Sequence, residues 1–412
     1  MQPPAPLTDD LIDEILIRIP PNDPASLFHA ALVCKPWYRV ASDPGFRRRF
    51  CARHHQGPPP VLGVLCNTSG HAGTSRFIPT SSLRFRQPLP DRRRWLVLDS
   101  RHGRVLLTNW DRERGPVDDP LVIWDPITGD HLKLPELPRQ QEWTSWNAAV
   151  LCAAGGCDHL NCRRGPFLVA VVGCGHGVLF GLVYSSEAGY WSLPTNCVEH
   201  ADVDYLACAA LVGNALYFKS EICIQTFRSK IIKYDLSTWK MSAFYLPYEM
   251  SLWSTFTIDL PLSHLEHGPR IVLMATEDDA RLGFGAVRDS KLYLWEWEAG
   301  SGSVGDAGWA QSKVIDLRTL LPADANSIST ELVGFADGVA LFFVQTVDGL
   351  FSIDLKSGQV KKVYNGGDID SVVPYMAFCT PGLGAISAGQ ELGAGASRAS
   401  KVQVAGASSS KS

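Results

Sequence analysis

LVIWDPITGDHLKLP, residues 121–135, alternates apolar and polar side chains on either side of a compact turn. Asp125 can cap its own turn, Pro126 presets φ at the next position, and Gly129 supplies the left-handed residue that closes a bulged hairpin. The same grammar returns in LVYSSEAGYWSLP (182–194), IIKYDLSTWKMSAFYLP (231–247) and LFSIDLKSGQVKKVY (350–364). LYLWEWEAGSGSV (292–304) followed by WAQSKVIDLRTLLP (309–322) reads as a fifth copy with a longer loop. Turn positions 125, 185, 235, 296 and 354 are spaced about 57 residues apart. That interval suits four-stranded propeller blades with long loops, since compact families run about 40 to 50 residues per blade. The strands expected before the hairpins are GRVLLTNW, NALYFKS, RIVLMAT and GVALFFVQ. A sixth blade is expected to be shared between residues 61–98 and the C-terminal run VVPYMAFCTP, closing the ring.

Composition agrees with this reading and removes other classes. The chain has 412 residues, 45% of them hydrophobic, with a formal net charge of -4. Enough apolar residue is present to build a core, and the balanced charge gives no footprint for nucleic acid. Twelve tryptophans, five methionines, 36 glycines and 27 prolines point to short strands and turns rather than a helical bundle. Residues 167–184, FLVAVVGCGHGVLFGLVY, reach the minimum length of a membrane span. Four glycines and a central His176 make two strands joined by a Gly-rich turn the better reading, so no membrane is expected. Eleven cysteines are too few for a disulfide scaffold, and the N-terminus shows no secretory signal. Reduced thiols in cytosol or nucleus are therefore expected, with the Asn67-Thr68-Ser69 sequon unused.

The first 55 residues obey a different period. Leu11, Ile12, Ile15, Leu16 and Ile19 fall at helical spacing after Thr8, a natural N-cap, with Asp9 and Asp10 at the positive end of the dipole. Pro20-Pro21 is expected to stop this helix. A second run, ASLFHAALVCKPWYRVA, contains Pro36 and is expected to lose continuity past Lys35. PGFRRRFCARHH is the third piece. So small a module needs a partner or neighbouring domain for stability. The expected organisation is multidomain, α plus all-β: a helical module at 1–56, a stiff Gly-Pro-Pro-Pro linker at 57–60, a propeller of five to six blades at 61–381, and a disordered Gly/Ala/Ser tail at 382–412.

The sequence carries no H-E-x-x-H, P-loop, nucleophile elbow or EF-hand loop. Gly173-Cys174-Gly175-His176-Gly177 lacks the third glycine of a dinucleotide fingerprint, because position 178 is Val178. Cys152, Cys157, His159 and Cys162 could form a tetrahedral zinc site, but their spacing matches no common pattern. A variable loop is the expected meaning, and no metal or cofactor is assigned. Arg47-Arg48-Arg49 and Arg92-Arg93-Arg94 read as solvated faces, and Asp118-Asp119 and Asp278-Asp279 as loop acids.

LTDDLIDEILIRIPPNDPASLFHAALVCKPWYRVASDPGFRRRF resembles an F-box. The marks are the acidic helix start, the I-L-x-R-I-P helix end, V-C-K-x-W-Y-R and S-D-P-x-F. The V-I-W-D-P-x-T-G blade resembles the F-box-associated propeller of large plant F-box families. This resemblance implies a non-catalytic substrate receptor of an SCF-type cullin-RING ubiquitin ligase. Its F-box would dock a Skp-type adaptor, and through it a cullin, while the propeller holds a target protein. An adaptor-bound scaffold outside ubiquitin ligases and a propeller enzyme are the alternative readings. Carried over to the adaptor face are Leu7, Leu11, Ile12, Ile15, Leu16, Leu32, Val33, Cys34 and Trp37; the family's opening Leu-Pro falls on Leu7 and Thr8. Core packing and interface both demand apolar side chains at Ile15, Leu16 and Val33, so sequence leaves the two readings level. Trp37 is the expected anchor, because buried aromatics dominate interfaces. Target recognition has no named residues; Trp143, Trp146 and the loop 152–165 are the exposed candidates.

Overall fold

Four helices fill the N-terminal module of the computed structural model: α1 (Asp9–Leu16), α2 (Pro24–Leu32), α3 (Lys35–Ser42) and α4 (Pro44–His54). The structure describes residues 7–54, 58–68, 75–80, 95–111, 115–116, 120–138, 143–159, 162–197, 199–223, 226, 228–251, 253, 270–276, 281–298, 308–322 and 330–381. The tail expected at 382–412 and residues 92–94, 118–119 and 278–279 lie outside this set.

Proline decides where these helices begin. The second helical run breaks at Val33 and Cys34, and Pro36 sits in the first turn of α3, where a missing N–H costs nothing. Pro24 and Pro44 open α2 and α4 in the same way. Asp23 caps α2, accepting from the Ser26 amide (3.3 Å) and hydroxyl (2.6 Å). Asp43 caps α4 by accepting from the Phe46 amide at 2.8 Å. Thr8 occupies the N-cap position of α1, yet its side chain makes no capping bond. Arg39 bonds Asp9 at 2.6 Å and Arg49 pairs with Asp13, tying α3 and α4 to α1.

Six blades follow, and their inner strands are Trp95–Arg101, Ser145–Cys152, Ala210–Val212, Ile271–Ala275, Glu331–Ala336 and Ile369–Met376. Blade one continues outward through Arg104–Asp111, Val122–Trp124 and His131–Lys133, all antiparallel. Blade two continues through Phe167–Gly175, Val178–Ser185 and Tyr190–Trp191. The 167–184 run is thus a hairpin, turning at His176 (φ 50°) and Gly177 (φ 76°). Blades three, four and five are four-stranded sheets of the same order.

The repeated hairpin is one hydrogen-bond pattern. Gly129, Gly189, Trp239 and Gly358 each donate their amide, at 2.8 Å, to the carbonyl four residues back, at Asp125, Ser185, Asp235 and Asp354. All four take a left-handed φ, between 57° and 78°. Asp125, Asp235 and Asp354 also accept from the two amides inside their own turns. Position 296 departs from the expectation: Glu296 lies inside the strand Lys291–Trp297, and that hairpin instead closes with Glu298 donating to Gly308. RIVLMAT is the inner strand of blade four rather than its second. The second strand, Leu282–Arg288, escaped the hydrophobic pattern because Gly283 and Gly285 interrupt it. A Cβ at Gly285 would lie 2.9 Å from Leu332 of the next blade, so close approach demands glycine there.

The two ends of the β region close the ring. Val61–Thr68 pairs antiparallel with Ile369–Met376 on one side and Arg76–Pro79 on the other. Trp95–Leu98, grouped above with this sixth blade, belongs instead to blade one. Each inter-blade interface carries its own apolar cluster. Trp124, Phe77 and Tyr375 fill the one between blades six and one, and Phe343 and Val372 lie in the one between five and six. Asn67 of the sequon is buried in the former, donating to the Val97 carbonyl (2.8 Å) and the Ser371 hydroxyl (2.9 Å).

Module and propeller share side chains. Phe28 of α2 is buried with Leu62, Trp124 and Tyr375, while Phe378 is buried among Ile12, Phe46 and Phe50. The linker prolines pack too: Pro60 accepts from the Ala377 amide at 3.3 Å. The propeller is therefore the neighbour from which the small module draws stability.

Two stability predictions follow from this geometry. A chain ending at Asp368 loses the strand paired with Val61–Thr68 and is expected to lose cooperative melting by circular dichroism, whereas one ending at Pro381 keeps every described contact and should melt like the full chain. Gly358→Ala meets open space and pays only the left-handed penalty, about 1 kcal/mol. Gly349→Ala would drive a Cβ into the Tyr364 carbonyl, costing about 3 kcal/mol or more. Urea unfolding should separate the pair, and equal effects would contradict the assigned hairpin geometry.

Candidate functional site

Exposed apolar side chains concentrate on the helical module. Leu11 and Ile15 lie one turn apart on α1, and Leu7 just precedes its N-cap, with exposures of 52%, 43% and 49%. Leu32 and Val33 at the α2–α3 junction reach 57% and 70%, Cys34 beside them is exposed, and Tyr38 follows one turn later. Elsewhere among the described residues, exposed large apolar side chains come singly or in pairs: Leu132, Tyr190 with Leu193, Tyr245 with Tyr248, Val314 and Val347. Ile12 and Leu16 are corrected by the structure: both are wholly enclosed in the module core with Leu27, Phe46 and Phe50. They alternate with the exposed positions because α1 rotates 100° per residue, turning one stripe inward and the other outward. Trp37 is half-buried against the same core. The level reading thus divides, with Ile15 and Val33 outside and Leu16 inside.

The central channel of the propeller encloses a cavity of about 380 Å³. Its lining carries several charged side chains. Asp99 pairs with Arg101 and accepts from the Val150 amide of blade two (2.8 Å). Arg101 reaches on to the Ala209 carbonyl before blade three (2.5 Å). Lys219 bonds Asp204 at 2.7 Å, and Arg270 of blade four donates to the Ile369 and Asp370 carbonyls of blade six. The Asp99–Val150 bond thus ties neighbouring blades one and two, whereas Arg101 and Arg270 each reach past the adjacent blade, and Lys219 with Asp204 braces the entry to blade three. Burial raises the Asp99 carboxyl, with Arg101 opposing it. At Asp204 burial also works against the charge, but Lys219 and two backbone amides prevail and hold the carboxyl below its ordinary range.

One end of the channel belongs to the module. Arg47 of α4, Pro58, Pro59 and Phe378 line it there, so Arg47 turns inward from the basic run that read as solvated. At the same end lie the turn His102-Gly103 and the loop after Cys152. The rings of His102 and His159 stack with centroids 4.3 Å apart. Burial, then His159, pushes the His102 imidazole down to about 3. Arg163 is buried against Asp125 of the blade-one turn. Cys152, Cys157, His159 and Cys162 are brought together, with every ligand atom within 4.8 Å of the others. Trp146, offered above as an exposed recognition residue, is buried, and Trp143 lies half-buried against Phe180 at 4.3 Å. Sequence missed the channel ties because an isolated Asp or Arg near a strand end looks the same whether it meets solvent or a neighbouring blade.

The family model "F-box protein AT5G49610-like, beta-propeller" matches residues 96–382, and an F-box-like model matches residues 10–53. No curated protein matches the chain. Among solved structures, TolB from Acinetobacter baumannii is 12% identical, with 82% of this chain and 73% of that one covered at a TM-score of 0.38. The SapL1 lectin in complex with alpha methyl fucoside is 14% identical, with 66% and 80% covered at 0.37. AofleA from Arthrobotrys oligospora is 11% identical, with 67% and 72% covered at 0.36. Likeness at this level says nothing about what this chain binds. F-box domains generally bind Skp1-type adaptors, F-box and propeller domains are typically non-catalytic, and their combination fits a substrate-recognition adaptor. With an F-box at 10–53 and the propeller model spanning most of the remainder, the chain belongs to the family of F-box proteins with an AT5G49610-like β-propeller.

Proposed function

We propose that this chain is the substrate receptor of an SCF-type cullin-RING ubiquitin ligase. The module docks a Skp-type adaptor, and the propeller presents a target protein for ubiquitin transfer by other subunits. One observation carries the reading. The module's core is already filled, with Phe378 completing it, and still the module displays Leu7, Leu11, Ile15, Leu32, Val33 and Tyr38 to solvent. Clustered apolar surface of this kind is what a protein partner covers. Because the module occupies one end of the channel, the target-binding surface is assigned to the blade loops and the opposite end, near Arg270 and Asp370. Protein partners also suit the balanced charge, with no nucleic-acid or membrane surface needed. Eleven free cysteines support a reducing, cytoplasmic or nuclear setting.

Burying one aliphatic side chain is worth about 1.5–3 kcal/mol. Leu11→Glu with Val33→Glu should therefore weaken capture of a Skp-type adaptor on the order of a hundredfold or more. The melting temperature should not change, since both side chains are exposed. Leu16→Ala should instead destabilise the module by about 2–5 kcal/mol through a core cavity. Undiminished adaptor and cullin capture by the folded double variant would overturn the assignment.

A further inference from the structure

We infer that Cys152, Cys157, His159 and Cys162 form a structural zinc site at the module end of the propeller channel. The four ligand atoms lie within 4.8 Å of one another although their residues span eleven positions of a loop between two strands. His159 Nδ1 is 3.7 Å from Cys162 Sγ, and the His159 amide is 3.4 Å from Cys157 Sγ. A tetrahedral Cys₃His zinc site, with Zn–S near 2.3 Å, has ligand edges of about 3.8 Å. The cluster thus needs to contract by about 1 Å at its widest.

The surroundings permit that contraction. Cys152 ends a paired strand, opposite Phe167, so it is fixed. Cys162 is fixed as well, because Arg104 donates to its carbonyl and to that of Gly165, both at 2.6 Å. Cys157 and His159 lie on the segment between, where Gly155 and Gly156 are exposed and a Cβ on either would meet nothing within 4 Å. Two ligands are thus anchored, and the other two sit on a surface segment with room around its glycines.

Charge balance is also met. Binding Zn²⁺ displaces one proton from each of three thiols, forming three Zn–S bonds and one Zn–N bond. The site then carries a net charge of -1, and the buried Arg104 guanidinium beside Cys162 offsets it. His102 stacks on the His159 ring at 4.3 Å between centroids, which limits how that ring can turn. The ion would tether Cys157 and His159 to the strand end at Cys152, beside the channel end that Arg47 and Phe378 also line.

The test uses the full chain, purified without chelator from zinc-supplemented culture. Elemental analysis should find close to one zinc per chain. Replacement by Co²⁺ should give thiolate-to-cobalt charge transfer and the visible ligand-field bands of a tetrahedral site. Cys157→Ser, on a half-buried loop, should lower zinc content about tenfold or more, whereas Cys34→Ser should not change it. Wild-type chain with neither zinc nor cobalt bands would overturn the site, and so would disulfides among these cysteines or full zinc retention in Cys157→Ser. Because the cobalt spectrum is read on wild-type protein, misfolding of a variant does not protect the proposal.

Discussion

Everything in this molecule depends on the antiparallel pairing of Val61–Thr68 with Ile369–Met376. Two segments some three hundred residues apart form one blade, and no blade is stable without neighbours on both sides. Each apolar cluster lies between adjacent blades, so an open ring would leave the first and last faces wet. Closure removes both losses together, at the entropic cost of a long loop, which grows only logarithmically with length. Closure also places the module. The chain enters the ring at Pro58–Pro60 and its last inner strand ends at Met376, so the helices and Phe378 meet at the same end of the channel.

Polar groups inside the ring follow the same economy. A buried ionisable side chain is tolerated only when paired. Asp99 with Arg101, Asp204 with Lys219, and Arg270 with the blade-six carbonyls satisfy one another, and Asp99 and Arg101 also bond backbone groups beyond their own blade. Apolar clusters between blades are non-directional; these bonds add directional constraints on the ring's register. The channel is consequently lined by charged groups that hold one another.

Much of this was legible in the residues. The Asp125, Ser185, Asp235 and Asp354 turns announced themselves because turn chemistry is local, fixed by the residues that make it. Pro36 announced the break between α2 and α3 for the same reason. What stayed hidden was non-local. Gly283 and Gly285 look like loop residues until the facing Trp295 and Leu332 are in place. Leu16 and Ile15 carry the same apolar signal, and only the packing of α2 and α4 shows which one faces inward. Arg47 read as solvated because nothing in a basic run foretells that one member lines a channel. The spacing of Cys152, Cys157, His159 and Cys162 fits no common metal pattern, yet the strand ends bring them within reach of one another.

The central claim is a division of labour, in which the helices engage an adaptor and the blades remain available to a target. Amide hydrogen exchange on the intact chain, alone and with a Skp-type adaptor, tests it most directly. The account predicts new protection in peptides covering 7–15 and 32–38, with exchange in the six blades unchanged. Protection confined to the blades, with those two segments exchanging as before, would contradict it.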